Sequence, residues 1–198
     1  MLATLIDLEN KAVAISDFEA IVVPGLLQTA DYARALISRS GNVPAGEVED
    51  RVAARLARRV LFSQERPARF TFFVHEFVLR TPVGGPTVMS DQLHHLLRMS
   101  VRSFVTLRVV PASLGAHAAM AGAFMFMEFA EFRPVAYLES TMANLFLELP
   151  EEIATYRSIL AALAALAATA LSEEQSRELI ATLATELYAD REDHDERA

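Results

Sequence analysis

The sequence predicts an α+β fold: a small antiparallel sheet of three to four strands, packed by N- and C-terminal helices. Three observations predict it. Alternating apolar runs suited to strands lie only between Arg69 and Glu139, and stretches with apolar residues at helical spacing bracket them on both sides. The polar segments between the last strand runs are short, as antiparallel neighbours require.

In chain order, Leu5, Leu8, Ala12 and Ile15 with Asp7 and Glu9 between them predict an amphipathic helix over Leu2 to Phe18. Pro24 and Gly25 then make a turn, Pro presetting φ and Gly supplying backbone conformations that other residues avoid. Thr29 caps the helix that carries Tyr32, and Ser40 to Gly46 reads as a loop. Glu47 to Ser63 reads as a second helix. Strands follow at Arg69 to Val74, Phe104 to Val110, Ala123 to Phe129 and Pro134 to Glu139, with a Ser90-capped helix carrying Leu93, Leu96 and Leu97 after the first. Pro150 starts a helix of small and medium residues that should pack closely against a partner helix, and Ser172 to Gln175 is a capping box opening the last one, with its stripe at Leu179, Ile180, Leu183 and Leu187. Residues 1–188 thus read as a single domain, and 189–198 as a charged, disordered tail.

The 198 residues include 53% hydrophobic types and a net charge of −8, which speaks against nucleic-acid binding by this chain alone. There is no Cys, so disulfides, thiolate metal sites and Cys nucleophiles are excluded. Neither a secretory leader nor an apolar run of spanning length is present, so a cytoplasmic protein with no membrane association is expected. Gly84-Gly85 lacks the Lys and the strand-to-helix spacing of a phosphate loop. His94 and His95 are adjacent on a helix and His75-Glu76 adjacent on a strand, so neither pair converges on a metal; no metal, no cofactor and no catalytic residue is assigned.

Several separated motifs carry a family resemblance. An acidic helix precedes Val23-Pro24-Gly25-Leu26-Leu27-Gln28-Thr29-Ala30-Asp31-Tyr32-Ala33-Arg34-Ala35, and further on come Val110-Pro111, Gly115, His117, Gly122, Phe124, Phe129 and Tyr137-Leu138-Glu139. Ala170-Leu171-Ser172, Ser176 and Leu179-Ile180 close the pattern. From about Leu5 to Leu187 the chain resembles the domain that follows the helix-turn-helix in actinobacterial XRE-family transcriptional regulators, several of them antitoxin-like partners of small toxin proteins. The resemblance implies a regulatory domain, a helix-turn-helix for DNA that is absent from this chain, a homodimer, and a small toxin-like protein as partner. Where that family carries an Arg-Gln pair, this chain has Arg58-Arg59.

Two groups of residues are candidates for function. Arg51, Arg55, Arg58 and Arg59 recur at helical spacing and form the candidate partner-binding stripe; the same stripe also reads as a solvated face pairing with Glu47, Glu49 and Asp50. Glu76, Met120, Phe124, Met125, Phe126, Met127, Tyr137 and Glu139 are the candidate ligand pocket, because Met adapts to irregular apolar ligands and two carboxylates at one cleft can do acid–base work. The bland alternatives are core filling by Met, part of a group that includes Met142, and carboxylates that accept hydrogen bonds from backbone N–H or from Arg80 or Arg108. Pro24, Gly25, Gln28, Thr29 and Tyr32 are assigned a structural role. The alternative to a regulator is a free-standing copy that uses the Met/Phe-lined pocket as a small-molecule site, recruited as an enzyme of secondary metabolism.

Overall fold

A computed structural model describes residues 2–140 and 143–195, so Met142 and the end of the acidic tail lie outside the described residues. The chain is α+β, with helices α1 (Leu2–Lys11), α2 (Ala30–Ser38), α3 (Val48–Ala57), α4 (Glu76–Arg80), α5 (Pro86–Ser100), α6 (Pro150–Ala170) and α7 (Glu173–Asp195). Its strands are β1 (Ala14–Glu19), β2 (Arg69–His75), β3 (Val105–Val110), β4 (Phe124–Glu128), β5 (Val135–Glu139) and β6 (Asn144–Leu147).

The strands form one six-stranded sheet in the order β3-β2-β1-β4-β5-β6. It is larger than the three to four strands expected, and only half of it is antiparallel: β1, β2 and β3 run parallel, whereas β4, β5 and β6 form an antiparallel meander joined to β1. The reason lies in the connections. Between β1 and β2, and between β2 and β3, the chain spends helices α2–α3 and α4–α5, the long crossovers that parallel neighbours need.

The sequence reading missed β1 and β6. The predicted helix from Leu2 to Phe18 stops at Lys11, and the chain re-enters as β1 (Ala14–Glu19). On that strand Ile15, Asp17 and Glu19 share one face, so two carboxylates stand where the alternation would show apolar side chains. A buried strand with acids on its inner face does not look like one.

Each face of the sheet carries its own layer. Ile15, Phe70, Phe72, Val109, Met125 and Met127 pack under Leu5 of α1, Tyr32 of α2, Leu93 and Leu96 of α5, and Ile180 and Leu183 of α7. Phe18, Phe73, Phe124, Phe126 and Ala136 face the other way, against Ile153 and Leu163 of α6. Helix α6 therefore covers the sheet instead of a partner helix, while α5 packs on α7 and α2 on α3. Helix α7 continues to Asp195, past the Tyr188 end expected; the side chain of Leu187 lies outside the described residues.

The stretch Val23 to Tyr32 leads from β1 into α2 and is anchored by the buried Val23, Leu26, Leu27, Gln28 and Tyr32. Gly25 opens a 3₁₀ turn (Gly25–Leu27) and is not among the glycines at positive φ, which corrects the expectation for the Pro24-Gly25 turn. A Cβ there would only touch Arg58 Nη1, at 3.5 Å. The glycine the fold requires is Gly84, at φ +75 with a would-be Cβ 2.9 Å from the Ala35 Cβ. Thr29 does cap α2, its hydroxyl accepting from the Tyr32 N–H at 3.3 Å.

Tyr32 is fully buried, and its hydroxyl accepts from the Val23 N–H at 3.1 Å. Tyr32→Phe leaves that buried donor unpaired and should cost about 1–3 kcal/mol. In a domain of this size that lowers Tm by about 2–10 °C in a thermal melt. An unchanged Tm would show that the Val23 N–H finds another partner.

Candidate functional site

The centre of the site is Gln28, buried at the end of the Pro24–Gln28 turn. Its Nε2 donates to the Val23 carbonyl at 2.7 Å, and its Oε1 accepts from Arg55 Nη1 at 2.9 Å. Its backbone carbonyl accepts from Arg59 Nη2. Gln92 of α5 clamps the same turn from the far side, its Oε1 accepting from the Thr29 N–H at 2.7 Å and its Nε2 donating to the Leu27 carbonyl at 2.8 Å. A buried amide must be satisfied at both ends, so each glutamine fixes two segments at once.

This arrangement redistributes the predicted arginine stripe. Helix α3 ends at Ala57 and tightens into a 3₁₀ segment (Arg58–Ser63), and the adjacent Arg58 and Arg59 point in different directions, as neighbours on any helix do. Arg51 stays exposed and pairs with Glu47 at 3.3 Å, as the solvated-face reading had it, while Glu49 pairs with Arg34. Arg58 is buried against Glu9 of α1, its Nε 2.9 Å from Glu9 Oε2 and its Nη2 on Glu9 Oε1. Arg59 turns away to the Gln28 carbonyl, with Nη2 3.5 Å from His95 Nε2. Burial, and then Arg59, Arg98 and Arg102, push the His95 imidazole down to about 4, so it is neutral beside them.

Arg39, Arg51, Arg55 and Arg58 line one side of a cleft of about 820 Å³, within the size range of small-molecule sites. Its other walls come from Leu2 and Leu5 of α1, Leu36 and Ile37 of α2, and Val43. Tyr137, Glu139 and Asn144 complete it from β5 and β6. Of the predicted pocket residues only Tyr137 and Glu139 are here. Met125 and Met127 are buried in the layer under α5 and α7, Phe124 and Phe126 in the layer under α6, and Met120 is exposed, so strand β4 is core and not a pocket wall. Glu76 sits elsewhere, accepting from Arg80 at 2.7 Å and from the Ala112 N–H at 3.1 Å; it fixes a loop.

Behind the arginines lie acids that sequence reasoning did not single out. Asp17 is nearly fully buried, and burial pushes its carboxyl up to about 7; Arg58 opposes this, while Glu9 and Glu139 add to it. Burial, with Asp17 and Glu139 beside it, pushes Glu19 up to about 9 against the pull of Arg55. Burial and Glu139 also push the Tyr137 hydroxyl up to about 12. Burial lowers Arg55, and Glu139 and Glu19 act to hold it charged. The signal that could have found these acids is their spacing: two residues apart, they share one face of any strand through Ile15.

A second, shallower concavity of about 440 Å³ beside α6, lined by Ala118, Ala154 and Ile159 among others, carries no charged group. His75 and His117 stack with ring centroids 6.0 Å apart, but each Nδ1 already accepts from a backbone N–H. Among the described residues no three His, Asp or Glu side chains group as metal ligands.

Fold and site thus define an α+β domain with a cation-lined, half-apolar cleft. A family model matches residues 2–182, and the chain belongs to that family, described as a domain of unknown function (DUF5753). Neither a curated protein nor a solved structure matches the chain significantly.

The raised acids set a pH dependence. Folded Asp17 and Glu19 hold protons that the unfolded chain releases near pH 4, so the folded state binds more protons and stability falls as pH rises. The loss runs from about pH 4 to about 7 for Asp17 and on to about 9 for Glu19. Asp17→Asn and Glu19→Gln should each flatten the decline of Tm between pH 5 and 9, and raise Tm at pH 8 by several degrees. A wild-type Tm that climbs over that range would contradict the protonated acids.

Proposed function

We propose that this chain is the regulatory domain of an XRE-type helix-turn-helix transcriptional regulator, antitoxin-like, cytoplasmic and self-associating. It binds a small-molecule effector in the cleft, a small toxin-like protein as partner, or both. DNA is read by a helix-turn-helix that is not part of these residues. The motif resemblance supports the class, and no helix among the described residues is long and apolar enough to cross a membrane.

The observation that carries the effector role is the double use of α1. Leu2 and Leu5 form a cleft wall, and Glu9 on the same helix is ion-paired to Arg58, which also lines the cleft. The resemblance places α1 directly after the linker from the DNA-binding module. A ligand that touches Leu2 and Leu5 or competes for Arg58 alters how α1 is held, and so biases the module before it; such coupling needs only differential affinity for two arrangements. One observation favours the enzyme reading as an alternative: burial raises the Asp17 and Glu19 carboxyls next to Arg58, Arg55 and Glu139 of the cleft, and perturbed acids near a cleft are a common setting of acid–base chemistry.

Joined behind a helix-turn-helix of known operator, the chain should transmit changes made at the cleft. Val43→Trp, which fills the cleft, and Glu9→Gln, which breaks the ion pair, should each alter operator affinity about fivefold or more in a mobility-shift titration. Equal affinity for both variants and the wild type would defeat the regulatory reading. Native mass spectrometry should show a dimer; a monomer at micromolar concentration would remove self-association from it.

A further inference from the structure

The lining of the cleft combines two chemistries. Leu2, Leu5, Leu36 and Ile37 line the cleft together with the arginines and supply its apolar surface. Two of these cations are already matched, Arg51 by Glu47 and Arg58 by Glu9. Two are not: Arg39 makes no ion pair among the described residues, and Arg55 gives one donor to the neutral Gln28 Oε1. Against them stands Glu139, the one carboxylate among the residues lining the cleft. The pocket therefore offers one positive charge more than its own lining neutralises.

We propose that the cleft binds an amphipathic organic monoanion of the carboxylic acid class, its carboxylate on Arg55 and Arg39 and its apolar body against Leu2, Leu5, Leu36 and Ile37. The inference rests on the reading of the cleft as the effector site and names the effector's chemistry. Arg55 presents a planar fork suited to a carboxylate, and its position is fixed in advance by Gln28. A dianion such as a phosphate monoester is disfavoured, because Glu139 lines the same cleft and Glu9 lies directly behind it on Arg58. A cation would meet Arg39 and Arg55 uncompensated.

Binding has a pH signature of definite sign. Asp17 faces Arg58 from the segment after α3, Glu9 from α1 and Glu139 from β5, and Glu19 on its own strand; Glu19 faces Asp17, Glu139 and Arg55. Between pH 8 and pH 6 Asp17 takes up a proton and removes a negative charge beside the arginines. A carboxylate ligand, ionised throughout this range, then binds more tightly as pH falls.

The test uses the full chain and three matched probes: 2-naphthylacetate, 2-naphthylacetamide and 2-(2-naphthyl)ethylamine, titrated by calorimetry and followed by saturation-transfer NMR. The acetate should bind about tenfold or more tightly than the other two, the ratio expected of one charge-assisted hydrogen bond. Its affinity should rise from pH 8 to pH 6, fall several-fold in the exposed-rim variant Arg39→Gln and more in Arg55→Gln, and vanish in Val43→Trp, with circular dichroism confirming that each variant is folded. If the amide or amine binds as tightly and Val43→Trp removes it, the cleft remains the effector site and the carboxylate class is overturned. An affinity for the acetate that falls toward pH 6 overturns the class as well. If acetate binding survives both Val43→Trp and Arg55→Gln, or no probe binds at millimolar concentration, both this proposal and the effector reading of the cleft are overturned.

Discussion

Almost everything described above depends on the satisfaction of one buried amide. Gln28 cannot remain in an apolar interior unless its carbonyl oxygen, its amino group and its main-chain carbonyl all find partners, since an unpaired buried polar group costs about 1–3 kcal/mol. The partners it finds come from three places: the turn just before it, helix α3 through Arg55, and the 3₁₀ segment through Arg59. Gln92 applies the same logic from α5. The outcome is that the connection leaving β1 is locked to the helices on its face of the sheet. Arg55 is thereby held at the cleft by the fold and needs no ligand to position it.

The acids show how the fold tolerates ionisable groups in its core. Asp17 and Glu19 are raised first by burial, which outweighs the opposing pull of Arg58 on Asp17 and of Arg55 on Glu19, and the lower-energy solution is to keep the proton. The site therefore combines permanent positive charge at the cleft with acids that are neutral or half-neutral behind it. Ionised carboxylates at Asp17 and Glu19 as well would weaken the attraction of the cleft for an anion. The balance is set by burial, which is a property of the sheet and not of any single residue.

Much of this was legible in the sequence where local chemistry speaks for itself. Thr29 was readable as a cap and β2 to β5 as strands, because Phe70 and Leu107 belong to apolar alternations and Phe126 and Tyr137 to short continuous apolar runs. The pocket was not readable, because Met125, Phe126 and Met127 advertise an adaptable apolar surface and the fold uses them as the middle of a sheet. The arginines were found, but Arg58 and Arg59, as helix neighbours, point about 100° apart and cannot share one stripe, so Arg58 meets Glu9 and Arg59 meets Gln28. Strand β1 was hidden by the very residues that make it interesting, since Asp17 and Glu19 break the pattern by which a strand is recognised.

The position of β1 bears on how the chain reaches this state. It lies in the middle of the sheet, with Ala14 beside Arg69 on one side and Glu128 on the other. Every pairing it makes is between residues far apart in sequence, so loop-closure entropy must be met before any strand contact rewards it. The antiparallel meander can assemble locally with α6, but it joins the parallel half of the sheet only through β1. Folding should accordingly be slow for a chain of this size, and the nascent β1, with two acids on its inner face, is kept soluble by the same charges that the finished protein neutralises.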